Sequence, residues 1–458
     1  MTDDARHPFS RREILKTATG AAAAWSLGRS GSAQGGTPPP AQGATMMGVP
    51  FEKRAVVRVG VIGCGSRGPG HVGDLLGIEG VEIKAVCDVR PERAASVRDQ
   101  VEKAGRPRPE VYAKGERDFE NLCRRGDLDV VYVATPWRWH VPMALAAMAG
   151  GAHAAVEVPA AVTLDECWQL VDASERTRRH CVMLENCNYG WSEMLARNLV
   201  RAGMLGEINH AECAYIHDLR TLLFDREHVG PWRRLEHLKR DGNLYPTHGL
   251  GPVAWYLDIH RGDRFERLVS MSSPSLGLQG HRDRTLADDD PRRQETYACG
   301  DMNTSLLRTA RGRTVVLQHD VVSPRPYSRI NMVSGTKGTF ADYPARVFLD
   351  GQKEHAWQEL HQKDGRAPGG IKDRFEDPLW KRLAEPAEQG GHGGMDYVMN
   401  WRLVECLREG LPPDMDVYDA AAWSAPAALS EQSVAGGNVP VEFPDFTRGR
   451  WKGSPTIL

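Results

Sequence analysis

The sequence predicts an α/β protein in which an N-terminal Rossmann domain precedes a C-terminal α+β domain with a largely antiparallel sheet. Its 458 residues exceed the usual size of one domain, so two compact units with extensions are expected. A β-branched run from Val56 opens directly into a glycine-rich turn, as in a nucleotide-binding βαβ unit. After residue 180 the chain changes to longer alternating segments, which are typical of half-buried antiparallel strands.

The glycine-rich turn has the spacing GxGxxG at Gly63, Gly65 and Gly68, with Ser66 and Arg67 between the last two. The first glycine permits the tight turn, the second lets the backbone approach a pyrophosphate, and the third lets a helix pack on the strand. Amides at the helix N-terminus then face the phosphates. We therefore predict that these five residues bind a dinucleotide; the alternative is a glycine-rich turn without one.

A second strand, Val81 to Val86, leads to Asp88, which lies 25 residues after Gly63. A carboxylate at this position accepts hydrogen bonds from the adenosine ribose hydroxyls and repels a 2′-phosphate. NAD is therefore the expected cofactor, in preference to NADP.

Two further strand ends complete the predicted Rossmann domain, residues 55–180. The first is followed by Thr135, Pro136 and His140, and the second ends at Glu157. Ligands bind at the carboxyl edge of a parallel sheet, so all four residues are expected beside the cofactor. For His140, capping of the following helix is an equally good alternative.

The second half, residues 181–435, is predicted to form the substrate domain. Glu207 to Ala214 and Thr314 to Gln318 alternate as strands, and Gly335 to Thr339 indicates a hairpin turn. A helical stretch from Asp396 to Arg408 is expected to return toward the first domain. Residues 436–458 form a predicted C-terminal extension.

The N-terminus contains Ser10-Arg11-Arg12 ahead of a mildly apolar stretch, which resembles a twin-arginine signal. The predicted signal covers residues 1–33 and a flexible linker covers 34–54. Such a signal implies export of the folded protein to the periplasm or beyond; the alternative is a basic disordered tail.

The composition of the chain limits the classes of ligand and partner that are expected. A net charge of −2 gives no electrostatic reason for a nucleic-acid or membrane partner. The nine cysteines contain no CxxC pair and are expected to be reduced core residues. His210, His217, His237 and His260 show no ligand spacing, so no metal is predicted. The expected partners are a small-molecule or glycan substrate and a second copy of the chain bound through the sheet face.

The order of these motifs resembles the Gfo/Idh/MocA family of sugar-linked oxidoreductases over residues 55–435. Two positions depart from its dehydrogenases: Val158 replaces the usual lysine, and Leu244 stands four residues before His248 where an Asp is usual. With these two differences, the sequence resembles glycoside hydrolase family 109, the NAD-dependent α-N-acetylgalactosaminidases. The matching segments are Glu157-Val158-Pro159, Glu185-Asn186-Cys187-Asn188-Tyr189, Tyr245-Pro246-Thr247-His248-Gly249, Ser323-Pro324-Arg325-Pro326-Tyr327 and Gly391-His392-Gly393-Gly394-Met395-Asp396.

This resemblance implies a sugar site formed by Glu157, Tyr189, Tyr245, His248 and Tyr327. The alternative for each residue alone is ordinary packing. It also implies hydrolysis without net redox: oxidation at C3, proton removal at C2, elimination at C1, water addition and reduction at C3. An imidazole, whose unperturbed pKa is about 6.5, suits His248 to accept the C3 hydroxyl proton.

In the same scheme Tyr189 is the candidate for proton transfer at C2. Tyr245 and Tyr327 position hydroxyls, and either could protonate the leaving oxygen. Two rival functions stay open: a secreted NAD(P)-dependent sugar dehydrogenase, and a non-catalytic sugar or nucleotide sensor on the same scaffold.

Overall fold

The computed structural model describes residues 43–227, 229–352, 355–361, 369–388 and 390–453. The strands of the first sheet are β1 Val57–Ile62, β2 Val81–Cys87, β3 Glu110–Tyr112, β4 Val130–Val133, β5 His153–Val156 and β6 Cys181–Met183. They are parallel in the order β3-β2-β1-β4-β5-β6, the order of a Rossmann fold. The central strands are apolar and almost fully buried because helices cover both faces of the sheet.

Each pair of consecutive strands in this sheet is connected by one helix. The helices are α1 Gly68–Leu76, α2 Pro91–Lys103, α3 Phe119–Cys123, α4 His140–Ala149 and α5 Leu164–Thr177. The order of strands reverses between β1 and β4, which opens a crevice at their carboxyl ends.

The second sheet has nine strands: β7 Ile208–Ile216, β8 Phe265–Ser272, β9 Asn303–Thr309, β10 Thr314–Asp320, β11 Met332–Gly335, β12 Gly338–Ala341, β13 Arg346–Leu349, β14 Gln358–Glu359 and β15 Val441–Glu442. Their order is β14-β13-β12-β11-β7-β10-β9-β8-β15. The pair β7–β10 is parallel and the other pairs are antiparallel. The predicted fold class is thereby confirmed, including the hairpin between β11 and β12.

The helices of the second half are α6 Trp191–Arg201, α7 Arg220–Leu223, α8 Gly230–Lys239, α9 Thr247–Tyr256, α10 Gly277–Thr285, α11 Ile371–Phe375, α12 Pro378–Ala387, α13 Met395–Glu409, α14 Val417–Ser424 and α15 Pro426–Ala435. Short 3₁₀ helices lie at Trp137–Trp139, Asn186–Tyr189, Pro291–Gln294, Gly391–Gly394 and Arg450–Gly453. Helix α9 packs on β7, α15 packs on β8, and α13 packs on α1. Helix α9 also contacts the 3₁₀ helix Asn186–Tyr189, which follows β6, and so lies close to the carboxyl edge of the first sheet.

The predicted flexible linker is wrong for residues 43–54. Met46 and Phe51 are buried in the core, and Phe51 packs its ring against the rings of His153 and His180. The backbone amide of Phe51 also donates to the carbonyl of Leu411 (3.0 Å). Two large apolar side chains within a polar, proline-rich stretch anchor it, because their burial removes apolar surface from water.

Other predictions concern the ends of the chain and its surfaces. Residues 1–33 lie outside the described residues. Strand β15 belongs to the predicted extension 436–458 but pairs with β8; the domain boundaries otherwise stay predictions. All nine cysteines are buried and free, as expected. Met271 and Leu306 are exposed on β8 and β9, and association through this sheet stays a prediction.

Within the described residues, no helix combines the length and apolarity needed to cross a bilayer.

Candidate active site

A cleft of about 540 Å³ lies at the carboxyl edge of the parallel sheet and is closed on its other side by α8, α9 and the end of β7. This volume is within the range of small-molecule and cofactor sites. The predicted residues that line it are Gly63, Gly65, Ser66, Arg67, Asp88, Thr135, Pro136, His140, Glu157, Tyr245 and His248. The lining does not include Gly68, Tyr189 or Tyr327.

The glycine-rich turn has the geometry that a pyrophosphate requires. Gly63 has a φ of +95°, and a Cβ there would lie 2.4 Å from the carbonyl oxygen of Ala134. A Cβ on Gly68 would lie 1.9 Å from the carbonyl oxygen of Gly63, so Gly68 acts by letting α1 pack on the turn. Among the described residues, no side chain caps the N-terminus of α1. Pro69 has no N–H, so the amides of Gly68 and Gly70 are the ones that can donate to phosphate oxygens there.

Asp88 holds its carboxylate at the end of β2, facing the cleft. One carboxylate oxygen accepts from the backbone amide of Cys64 (2.7 Å) and the other from that of Arg90 (2.9 Å). Each oxygen keeps a lone pair for a ribose hydroxyl. The turn, the uncapped helix and this carboxylate therefore fit NAD.

Replacement of Asp88 by Ala is expected to weaken NAD binding by about 10- to 150-fold, because hydrogen bonds to a charged group contribute about 1.5–3 kcal/mol. Calorimetric titration of nucleotide-free protein with NAD measures the change. The control is Asp99→Ala, which removes a half-exposed aspartate on α2 outside the cleft lining. Equal NAD affinity in both variants would contradict the role of Asp88.

His140 does not present a nitrogen to the cofactor. Its Nδ1 lies 2.8 Å from the carbonyl oxygen of Pro159 and its Nε2 lies 2.8 Å from that of Thr135. Burial lowers the pKa of this imidazole. A neutral imidazole has one N–H and donates to one of these two carbonyl oxygens. The ring lines the cleft, and its contact with the nicotinamide half stays a prediction.

Glu157 lies at the floor of the cleft within a buried ionic network. Its Oε1 accepts from Arg67 Nε (2.7 Å) and His71 Nε2 (2.7 Å), and Arg67 also pairs with Asp396 (2.8 Å). Burial opposes ionisation of Glu157, but the charge of Arg67 and the hydrogen bond from His71 hold its pKa well below the usual range. Asn186, which also lines the cleft, donates to Asp396. Glu157 is therefore an ionised acceptor and not a proton donor.

His248 begins the first turn of α9 and lines the same cleft. Its Nδ1 lies 2.7 Å from Oε1 of Glu185, a carboxylate with no exposed side-chain surface. Burial raises the pKa of Glu185, but the positive charge of His248 in its protonated form and the hydrogen bond between the two outweigh burial and lower it. The rings of Tyr245 and Tyr215 lie 4.9 and 5.3 Å from the imidazole.

The prediction that Tyr189 transfers the C2 proton is wrong in this structure. The Tyr189 hydroxyl donates to Asp414 (3.2 Å), and its ring packs edge-on against Trp255, outside the cleft lining. Burial and the charge of Asp414 raise the pKa of Tyr189 far above its usual range. The turn of the 3₁₀ helix Asn186–Tyr189 aims Asn186 at the cleft and Tyr189 into the core.

Tyr327 lies at the rim of the site beside lining residues. Its ring is 5.0 Å from that of His217 and 6.2 Å from that of Tyr215. Arg329 Nη1 donates to the Tyr327 hydroxyl oxygen (2.9 Å). Because Arg329 has no acceptor, this bond leaves the phenolic hydrogen of Tyr327 available to another group.

Among the polar lining residues that were not predicted as site residues, Tyr215, His217 and Arg233 lie close to Tyr245 and His248. The Tyr215 hydroxyl lies 3.1 Å from His217 Nδ1, and both residues are on or just after β7. The Arg233 guanidinium lies 4.6 Å from the Tyr245 ring and 5.3 Å from the Trp137 ring. Its Nε and Nη2 are buried and have no hydrogen-bond partner in the described part of the chain. The alternation of β7 could have indicated Tyr215, whereas Arg233 lies in a charged helix with no distinguishing pattern.

The described residues contain one cluster of side chains that could hold a metal ion: Glu185, Cys187 and His248. Their potential ligand atoms lie within 4.8 Å of one another. The 2.7 Å separation of Glu185 Oε1 and His248 Nδ1 is a hydrogen-bond length. The contact is thus explained without an ion, and the absence of a metal stays a prediction.

The cleft lies at the carboxyl edge of a Rossmann sheet, where the strand order reverses, and a second, largely antiparallel sheet follows in the chain. This arrangement is typical of an NAD-binding protein of the Gfo/Idh/MocA oxidoreductase class. Residues 57–185 match the family described as "Oxidoreductase family, NAD-binding Rossmann fold". Solved structures of other proteins have the same fold as this chain. Levoglucosan dehydrogenase in complex with NADH and levoglucosan has a TM-score of 0.63 at 19% identity, covering 85% of this chain and 100% of that one. An inositol dehydrogenase homolog from Azotobacter vinelandii, complexed with NAD⁺, has a TM-score of 0.59 at 20% identity, covering 86% and 99%.

The chain belongs to glycosyl hydrolase family 109. Residues 189–453 match "Glycosyl hydrolase 109, C-terminal domain". A family 109 protein from Solibacter usitatus is 51% identical over 446 residues, covering 97% of this chain and 98% of its own. One from Saccharopolyspora erythraea is 49% identical over 454 residues, covering 98% and 97%. The protein is therefore an NAD-dependent glycoside hydrolase.

Proposed function

We propose that the protein hydrolyses N-acetylgalactosaminides through a redox-neutral cycle of oxidation, elimination, water addition and reduction. This proposal rests mainly on the position of His248. Its side chain lines the dinucleotide cleft, and its Nδ1 contacts the buried carboxylate of Glu185. A two-carboxylate hydrolase needs an acid and a second carboxylate on either side of the bond. Here Glu157 is already bound to Arg67 and His71, and the other acidic lining residues Asp88, Glu116 and Glu227 lie near the β2 and β3 side.

When bound, NAD supplies a reversible acceptor for the hydrogen on sugar C3. His248 takes the proton of the C3 hydroxyl through Nε2, the nitrogen not engaged by Glu185. Arg67 and Glu157 fix the floor on which the sugar and the cofactor meet. Once C3 is a ketone, the C2 hydrogen becomes acidic, so a side-chain base can remove it.

For the C2 proton we propose the pair Tyr215 and His217 in place of Tyr189. Burial raises the pKa of Tyr215, and burial together with the charge of Arg233 lowers that of His217. His217 is therefore neutral at neutral pH and can accept a proton through the Tyr215 hydroxyl 3.1 Å away. Tyr327, with its hydrogen directed away from Arg329, is the proposed acid for the leaving oxygen.

The surroundings of Arg233 favour a substrate with an acetamido substituent. Two of its buried guanidinium nitrogens have no hydrogen-bond partner among the described residues, and the guanidinium lies beside the rings of Trp137 and Tyr245, which are 5.8 Å apart. A buried donor without an acceptor is costly, so a ligand acceptor at this point is favoured. An N-acetyl group offers a carbonyl oxygen for the guanidinium and a methyl group for the aromatic faces.

The test is hydrolysis of p-nitrophenyl N-acetylgalactosaminide in deuterated water without added NAD. We expect many turnovers and a released sugar that carries deuterium at C2 but not at C3, because the C3 hydrogen returns from the cofactor. Mass spectrometry locates the label, and a substrate deuterated at C3 reports a kinetic isotope effect. Hydrolysis with neither a C3 isotope effect nor C2 exchange would instead indicate direct displacement at C1. Accumulation of oxidised sugar would indicate a dehydrogenase.

We also propose that the folded protein is exported to the periplasm or beyond, on the basis of Ser10-Arg11-Arg12. Replacement of Arg11 and Arg12 by Lys is expected to retain the protein in the cytoplasm. Immunoblotting of cell fractions measures the distribution, with the unchanged protein as control. Unchanged export of the double variant would show that these arginines are not a twin-arginine signal.

A further inference from the structure

We infer that Glu185 is a positioning residue for His248: it fixes the imidazole with hydrogen on Nδ1 and leaves Nε2 as the proton acceptor facing the cleft. The inference rests on the proposed function for the identity of the proton, but the tautomer itself can be measured separately. Glu185 lies at the end of β6, does not line the cleft, and contacts His248 at 2.7 Å.

The distance between the two side chains is set by close packing of backbone elements. Glu185 Oε1 also accepts from the amide of Cys187 (3.1 Å), which anchors the carboxylate to the start of the 3₁₀ helix. A Cβ on Gly251 would lie 2.4 Å from Asn188 Oδ1 and 2.9 Å from Glu185 Cγ. Only glycine at 251 therefore lets α9 approach closely enough to bring His248 onto Glu185.

The chemistry of the pair determines the tautomer. An ionised carboxylate only accepts hydrogen bonds, so a neutral imidazole 2.7 Å away must carry its hydrogen on Nδ1. When the C3 alcohol is oxidised to a ketone, the hydride goes to the nicotinamide cofactor and the hydroxyl proton moves to His248 Nε2. The resulting imidazolium is stabilised by the buried negative charge of Glu185. In the final reduction the same proton returns to the C3 oxygen.

Other titratable or charged groups lie on the elements around the pair. They are Tyr215 on β7 and His217 just after it, Arg233 from α8, Tyr245 before α9, Cys187 from the 3₁₀ helix, Glu193 from α6, His319 from β10 and Arg329 before β11. Glu185 differs from all of these in its direct hydrogen bond to the imidazole.

The first experiment is Glu185→Gln in the holoenzyme, which keeps the side-chain size and removes the charge. We expect kcat to fall by about 10²- to 10⁴-fold with a small change in KM, because proton transfer by a positioned base contributes that much. The acid limb of the kcat/KM profile is expected to move to lower pH, because loss of the adjacent charge disfavours the imidazolium. Glu185→Asp, which retains the charge, should restore the acid limb at reduced kcat.

The second measurement is nitrogen NMR of protein labelled at histidine, with the His248 signals assigned by their loss in His248→Ala. In the unchanged protein we expect hydrogen on Nδ1 and none on Nε2 at the pH of maximal activity. Finding hydrogen on Nε2 would overturn the inference, even if Glu185→Gln fails to fold. An unmoved acid limb and a kcat within threefold in Glu185→Gln would also overturn it. The control is Glu431→Gln, whose carboxylate pairs with Arg240 outside the cleft and should leave the profile unchanged.

Discussion

His248→Ala is expected to lower kcat/KM for p-nitrophenyl N-acetylgalactosaminide by about 10²- to 10⁴-fold, the usual contribution of a positioned base. Without the imidazole, the C3 hydroxyl proton loses its positioned acceptor, so oxidation at C3 slows by this factor. Exchange of deuterium into C2 should therefore slow together with hydrolysis. Steady-state kinetics and mass spectrometry of recovered substrate measure the two effects.

The matched control is Tyr189→Phe. Its hydroxyl contacts Asp414 in the core and not the cleft, so hydrolysis and C2 exchange should persist. The expected loss is one buried hydrogen bond, about 0.5–1.5 kcal/mol of stability. If the Tyr189→Phe variant oxidises C3 but no longer exchanges the C2 hydrogen, Tyr189 would again be the candidate for proton transfer at C2. Full activity of His248→Ala would contradict the proposed cycle.

Arg67→Met is expected to lower the free energy of unfolding by about 3–5 kcal/mol and to abolish NAD retention. The guanidinium pairs with Glu157 and Asp396, and removing it leaves two buried carboxylates without their cation. Denaturant unfolding measures the stability, and analysis of released nucleotide measures the cofactor. The control is Lys53→Met, which removes an exposed ion pair with Glu409 and should change stability by less than about 1 kcal/mol.

The effect of Arg67→Met should depend on pH. Burial opposes ionisation of Glu157 and Asp396, but Arg67 and the neighbouring histidines lower both pKa values in the folded protein. Their stabilising contribution is present above the unfolded pKa values of about 4 and is lost as pH falls. The stability difference between the two proteins should therefore narrow below pH about 4. A difference independent of pH would indicate lost packing and not lost charge pairing.

The secondary structure near the glycine-rich turn could be predicted because its signals are contiguous. The run from Val56 into Gly63, Gly65 and Gly68 specifies strand, turn and helix through local backbone geometry, and Asp88 follows from the length of one βαβ unit. The anchor of residues 43–54 was missed for the opposite reason. Two apolar residues in a polar stretch give no periodic signal, and only the pocket that receives Phe51 reveals its burial.

The sequence by itself determined the NAD-binding fold and the family, since both depend on motifs of a few adjacent residues. The tertiary structure alone decided which side chains meet in the cleft. Tyr189 and Asn186 are three residues apart in one 3₁₀ helix, yet only Asn186 lines the cleft. Glu185 and His248 are 63 residues apart and meet because α9 packs closely on that helix through Gly251. Side-chain direction and long-range packing leave no pattern along the chain, so a site assembled from several elements is fixed only when the chain has folded.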